Sequence, residues 1–205
     1  EFYASKFNTE RGSILFKGLV ALERLSIAFS DHVIVANHIW HRTLLSRSAT
    51  PDKCTALINV PTVKVHTLTG IAVSLKNYIN FSPQPSKYHA PSTNLGEVSL
   101  LPEVKGKTRL IIVDLLRPYF GPGPQINPLH RWNYHGIMVG TDPVAIDSTC
   151  LRLCQVKRRL FKGEDWPITP PPDFIAYADK NLKLGTSDPA KIKLIKLGWD
   201  KDLLI

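Results

Sequence analysis

Four stretches of this chain carry residues whose types and spacing could do chemistry. In PTVKVHTLTGIAVSLKN (61–77), Lys64 and His66 alternate with Val63 and Val65. In a strand, that alternation sends the two polar side chains to one face. Thr67, Thr69 and Gly70 follow at once, and Lys76 and Asn77 stand a few residues on. In LIIVDLL (110–116), Asp114 falls near the end of an apolar run. RPYFGPGPQINPLHR (117–131) is a Gly/Pro-punctuated loop that ends at His130 and Arg131. In HGIMVGTDPVAIDSTCLRLC (135–154), Gly140, Thr141 and Asp142 separate a strand from a helix.

The chemistry these residues suggest is recognition of an anion. Lys64, Lys76 and Arg131 are cations, His66 and His130 can become so, and Thr67, Thr69 and Thr141 offer hydroxyl donors. Backbone N–H groups at helix starts add partial positive charge. The set suits a phosphate- or carboxylate-bearing small molecule. Asp114 and Asp142 are candidate general bases or ligands of a hard divalent cation. His66 or His130 is a candidate proton carrier near neutral pH.

Each residue also has a plainer reading. Lys64 and His66 fit a solvent-facing strand face equally well. Asp142 before Pro143 is a natural helix cap. Asp147 fits a structural hydrogen-bond network, and Asp114 a turn. Gly121–Pro124 can simply fix the shape of a loop. It is not a phosphate loop, because GK[ST] is absent and Pro has no N–H to donate. Cys150 and Cys154, four residues apart on one helix, read as buried thiols. His38 and His41 read as surface residues, and no G-x-S-x-G elbow supports a serine triad.

These residues need a scaffold. ILFKGLVALERLSIAFS (14–30) has helical apolar spacing, HVIVAN (32–37) reads as a buried strand, 38–48 as a helix, and CTALINV (54–60) as another strand. The β-α-β rhythm predicts an α/β fold, a mostly parallel sheet with helices on both faces. Residues 67–70 should turn the chain into a helix at about 71–79. The stretch 81–96, rich in Pro and Ser, reads as a long loop that could serve as a lid. After the 135–154 unit, WPITPPP (166–172) is a rigid spacer. Asp173 is placed to cap a helix through Phe174, Ala178 and Leu182 that ends at Gly185, and Asp188–Pro189 to start a last short one. In such sheets, ligands bind beyond the carboxyl ends of the strands, where all four stretches should meet.

Composition sets the bounds. With 205 residues, 43% hydrophobic and 21% charged, the chain suits a globular protein. A chain this long buries roughly 70% of its unfolded surface and needs no disulfide or metal to hold a core. No apolar run reaches the ~18 residues of a membrane span, and the first residues lack a signal-peptide core, so a cytoplasmic location is expected. Three cysteines without a CxxC make neither a disulfide framework nor, alone, an iron–sulfur or zinc site. The charge of +9 permits anionic partners, but no aromatic–basic platform argues for nucleic acid.

Two resemblances follow from the motifs. EFYASKF and ERLSIAFSDHVIVANHIWHRTLLSRSATPDKCTALINV, within residues 1–60, resemble part of the acceptor-side domain of family-four glycosyltransferases. Nothing matches the sugar-nucleotide-binding domain of those enzymes, which implies a fragment that transfers no sugar. From about Asn59, NVPTVKVHTLTGIAVSLKN, IIVDLLRPYFGPGP, GIMVGTDPVAIDSTCLRL and IAYADKNLKLGTSDPAKIKLIKLG resemble, in order, the domain-of-unknown-function family three-six-two. The two-part reading divides the chain into 1–60 and 61–205, with a hybrid or truncated sheet at the seam. The second resemblance implies an enzyme-like domain linked to iron–sulfur redox metabolism. Any cluster would then come from a ferredoxin-like partner, and a non-catalytic docking module is a further alternative.

Overall fold

The computed structural model describes residues 33–37, 55–82, 85–89, 93–102, 104–123, 127–198 and 203–205. The helices expected at 14–30 and 38–48, Cys54 and Pro124 lie outside these residues. Six strands form one mixed α/β sheet, mostly parallel: β1 (Val33–Asn37), β2 (Ala56–Val60), β3 (Thr62–His66), β4 (Gly70–Ala72), β5 (Thr108–Tyr119) and β6 (Gly136–Gly140). The helices are α1 (Ser74–Asn77), α2 (Pro143–Lys162) and α3 (Phe174–Lys180). Among the described residues, no helix is long and apolar enough to cross a membrane.

β5 is the spine. β2 and then β3 run parallel along one edge of it, with Asn59 opposite Ile111 and Thr62 opposite Asp114. The register is therefore carried unchanged through Pro61, whose carbonyl accepts the Asp114 N–H at 2.8 Å. β6 runs antiparallel on the other edge, with Ile137 opposite Asp114 and Gly140 opposite Ile111. β1 extends the sheet parallel to β2, so one sheet continues across residues 60 and 61.

Alternation decides which side chains enter the core. Val63 and Val65 of β3 and Ile111, Val113 and Leu115 of β5 are buried, together with Val144, Ile146, Cys150, Leu153 and Cys154 of α2. Burial keeps both thiols protonated and pushes Cys154 up to about 12. Helix α2 begins as its sequence dictates. The Asp142 carboxylate accepts the Val144 and Ala145 N–H groups, each at 2.8 Å, and Pro143 takes the first turn, where no N–H is needed. Gly163 ends the helix with φ 79°, a left-handed position that favours glycine.

Several expectations are corrected. The helix expected at 71–79 is preceded by strand β4, which turns back antiparallel on β3 and pairs His66 with Gly70 and Lys64 with Ala72. Gly70 at φ 75° makes the reversal, and the β-branched Ile71 continues as strand before the four-residue α1 and the 3-10 turn Tyr78–Phe81. LIIVDLL is the middle of a twelve-residue strand, so Asp114 sits inside β5 rather than near its end. The lid-like loop is instead made partly of 3-10 turns at Pro85–Tyr88 and Thr93–Leu100, pinned by the buried Tyr88, Leu95 and Val98. Asp173 makes no side-chain cap, and α3 stops at Lys180, before Leu182 and Gly185. Residues 189–191 form a turn rather than a helix.

Candidate anion site

Strand β3 exposes its polar face at its carboxyl end. Val63 and Val65 point into the core, so Lys64 and His66 occupy the opposite face, both half-buried. The tight turn 67–69 into β4 folds Thr69 inward, where it is buried. Helix α1 then returns Lys76 to the same place. Its ammonium donates to Thr69 Oγ1 at 3.0 Å, while that hydroxyl donates to the Ile71 carbonyl at 3.1 Å. Lys76 is only 2% exposed.

Histidine completes the group. His66 Nδ1 accepts the Leu68 N–H at 3.1 Å. The neutral ring then carries its proton on Nε2, which is 3.2 Å from Nε2 of His89. Sequence reasoning missed His89, because it stands in the Pro/Ser-rich stretch with no periodic neighbour to mark it.

Four basic side chains thus share one partly buried region. Burial pushes Lys64 down to about 8. Burial and the adjacent Lys64 charge push Lys76 down to about 7. His89 is lowered by burial and then by the charges of Lys76 and Lys64. Among the described residues, the ion pairs are Lys162–Glu164 and Lys191–Asp188, and neither involves these lysines. Desolvated cations without an opposite charge are costly, and an anion placed among them would offset that cost.

The Gly-Pro loop reaches this region. A Cβ on Gly123 would lie 3.0 Å from the Val65 carbonyl and 3.9 Å from His66 Cα, so glycine permits the loop to close on the end of β3. Gly70 serves the turn from the other side. A Cβ there would strike the Pro170 carbonyl, so the 170–172 spacer packs directly against the turn.

The remaining predicted residues lie elsewhere or have structural duties. Thr67 is exposed in the turn. The Asn77 amide donates to Asn59 Oδ1 at 2.6 Å, and Asn59 donates to the Ser74 carbonyl and hydroxyl at 3.1 Å each. Asp147 accepts the Ser74 and Leu75 N–H groups at 2.8 and 3.2 Å, capping α1 from another helix. Burial raises its carboxyl to about 8, against the pull of those two bonds.

Asp114 lies opposite Thr62, at the start of β3. Two residues of strand separate that level from Lys64 and four from His66, or ~7 and ~13 Å. Its carboxylate accepts the Leu116 N–H at 2.9 Å and the Thr62 hydroxyl at 3.3 Å. Gly140, opposite Ile111, lies further back still, and it carries Thr141 and Asp142 away from the cluster. Besides capping α2, Asp142 accepts the Thr186 N–H at 2.9 Å, an approach that only a glycine at 185 allows. The meeting of all four stretches in one pocket is therefore corrected: the Lys64–His66 strand and the Gly-Pro loop meet, and the start of α2 does not join them.

His130 sits among rings. Phe120, Phe161 and Trp166 surround it at centroid distances of 5.5 Å each, and a Cβ on Gly121 would collide with its ring. Arg131 is exposed, and its backbone bridges to Tyr119. Nearby, the buried Arg158 donates to the carbonyls of Phe120, Trp166 and Pro167 at 2.7 to 3.0 Å, tying the end of β5 to the spacer.

For a metal, the residues at hand fit poorly. Among the described residues, no three His, Cys, Asp or Glu side chains converge. The Leu68 bond also leaves the proton of His66 on the nitrogen that would have to bind a cation.

A family model described as Domain of unknown function (DUF362) matches residues 26–152, a span that crosses the 60/61 boundary of the two-part reading. No curated protein and no solved structure matches the chain.

Proposed function

The chain belongs to the DUF362 family, and we propose that it binds a phosphate- or carboxylate-bearing small molecule at the carboxyl end of β3. One observation carries this reading. Lys64, Lys76, His66 and His89 crowd together, partly desolvated, with no carboxylate among the described residues paired to either lysine. Lys64 supplies the accessible charge and Thr69 holds the Lys76 ammonium. The neutral His66–His89 pair can give or take a proton beside the ligand. Asp114 and Asp142 take no part in this reading.

The test is thermal unfolding in phosphate, sulfate and small carboxylates. At 100 times its Kd, a ligand stabilises the fold by about 2.7 kcal/mol, which for a chain of this length raises Tm by roughly 5–10 °C. Lys64→Ala and His66→Ala should fold and lose most of that shift. A shift of equal size in parent and variants would place the anion elsewhere.

A further inference from the structure

We propose that Lys76 is a nucleophilic amine, which condenses with the carbonyl carbon of an aldehyde or ketone carrying a carboxylate or phosphate and forms a Schiff base. This inference rests on the anion site above and names its substrate class.

The geometry separates the two lysines by role. Lys64 is half-buried on β3, where it can meet the anionic group of an incoming molecule. Lys76 is buried, comes from α1, and is held by a single hydrogen bond to Thr69 Oγ1 at 3.0 Å. The Thr69 hydroxyl hydrogen already goes to the Ile71 carbonyl, so its oxygen can only accept from the amine. That arrangement orients Nζ, and the bond to Thr69 uses an N–H rather than the lone pair that the neutral amine would carry. An amine that is desolvated and adjacent to a second cation is held partly in its neutral, nucleophilic form. A lysine with a purely structural role would pair with a carboxylate or several carbonyls, as Arg158 does with three.

The step balances without an outside reagent. The Nζ lone pair forms a bond to the carbonyl carbon, and the carbonyl π pair moves to oxygen, giving a carbinolamine. That oxygen takes up protons and leaves as water while nitrogen loses its two, so amine and carbonyl become imine and water. His66 and His89, with Nε2 atoms 3.2 Å apart, are placed to relay those protons, and the Lys76 charge acts directly on His89.

The test is reductive trapping on the full chain. Pyruvate or glycolaldehyde phosphate is added, followed by sodium borohydride, and labelled peptides are mapped by mass spectrometry. The expected result is one adduct per chain, on Lys76, with acetone labelling it about tenfold less because it lacks the charge that Lys64 binds. Lys76→Arg should abolish the adduct. Should that variant not fold, inorganic phosphate should still protect Lys76 in the parent chain. Adducts scattered over exposed lysines such as Lys105 and Lys162, with Lys76 unmodified, would overturn the inference. If phosphate still raised Tm in that case, the anion site would stand without the nucleophile. If it did not, both would fall.

Discussion

At the scale of single residues, the same chemical type takes different work depending on what surrounds it. Three aspartates stood out in the sequence, Asp114 and Asp142 as candidate bases or cation ligands and Asp147 as a structural group. Each spends its oxygens on backbone N–H groups: Asp142 on α2 and Thr186, Asp147 on α1, and Asp114 on Leu116. Asp147 is the most consequential, because it fixes the start of the helix that carries Lys76. Above about pH 8, where the Asp147 carboxyl is ionised and both oxygens accept, Asp147→Asn keeps the shape but sets an NH2 against one of the two N–H groups. Leaving such a buried donor unsatisfied costs about 1–3 kcal/mol. Chemical denaturation should show that loss, together with weaker phosphate stabilisation as α1 loosens. A variant as stable as the parent would mean that α1 does not depend on this cap.

At the scale of elements, the sequence was legible where one local rule acts alone. The alternation TVKVH identifies β3 because two valines must be buried, and Asp142–Pro143 identifies the start of α2 because a cap and a proline at the first turn need no other partner. It was illegible where distant parts decide. Three residues, GIA, are too few to show a strand period, and β4 exists because β3 offers an edge and Gly70 can adopt φ 75°. The cap of α1 comes from Asp147, over seventy positions away, so no local signal could mark it. His89 joins His66 only through the folding of the 3-10 segments. Gly70 concentrates this dependence. Gly70→Ala adds a Cβ against the Pro170 carbonyl and places alanine at positive φ, so it should cost more than about 1 kcal/mol. Circular dichroism melts would read the loss, and phosphate should stabilise the variant less, since the turn positions Thr69. An unchanged melt would show that the turn and spacer can separate freely.

At the scale of the whole molecule, the net charge of +9 says only that anions are welcome, whereas the folded arrangement says where and in which pH range. Lys64 and Lys76 titrate near 8 and 7 in the folded chain, against 10.5 when unperturbed. Between about pH 8, where Asp147 has given up its proton, and about pH 9, where the buried thiols of Cys150 and Cys154 begin to act with the opposite sign, the unfolded chain therefore binds more protons, and stability should rise with pH. Asp147 acts in a different window with the opposite sign. Raised from 3.8 to about 8, it makes stability fall as pH climbs between those values. Bound phosphate reverses the lysine contribution, because it favours the charged amines that burial disfavours. It should stabilise most below about pH 7, where both lysines hold their protons, and progressively less above about pH 8. Binding should also draw protons from solution, seen as a calorimetric heat that changes with the ionisation enthalpy of the buffer. A Lys64→Met, Lys76→Met double variant should lose both the alkaline gain in stability and the proton uptake. If the parent is flat from pH 8 to 9 and binds phosphate with no buffer-dependent heat, the two lysines are neither crowded nor in the site, and the cluster is only a surface feature.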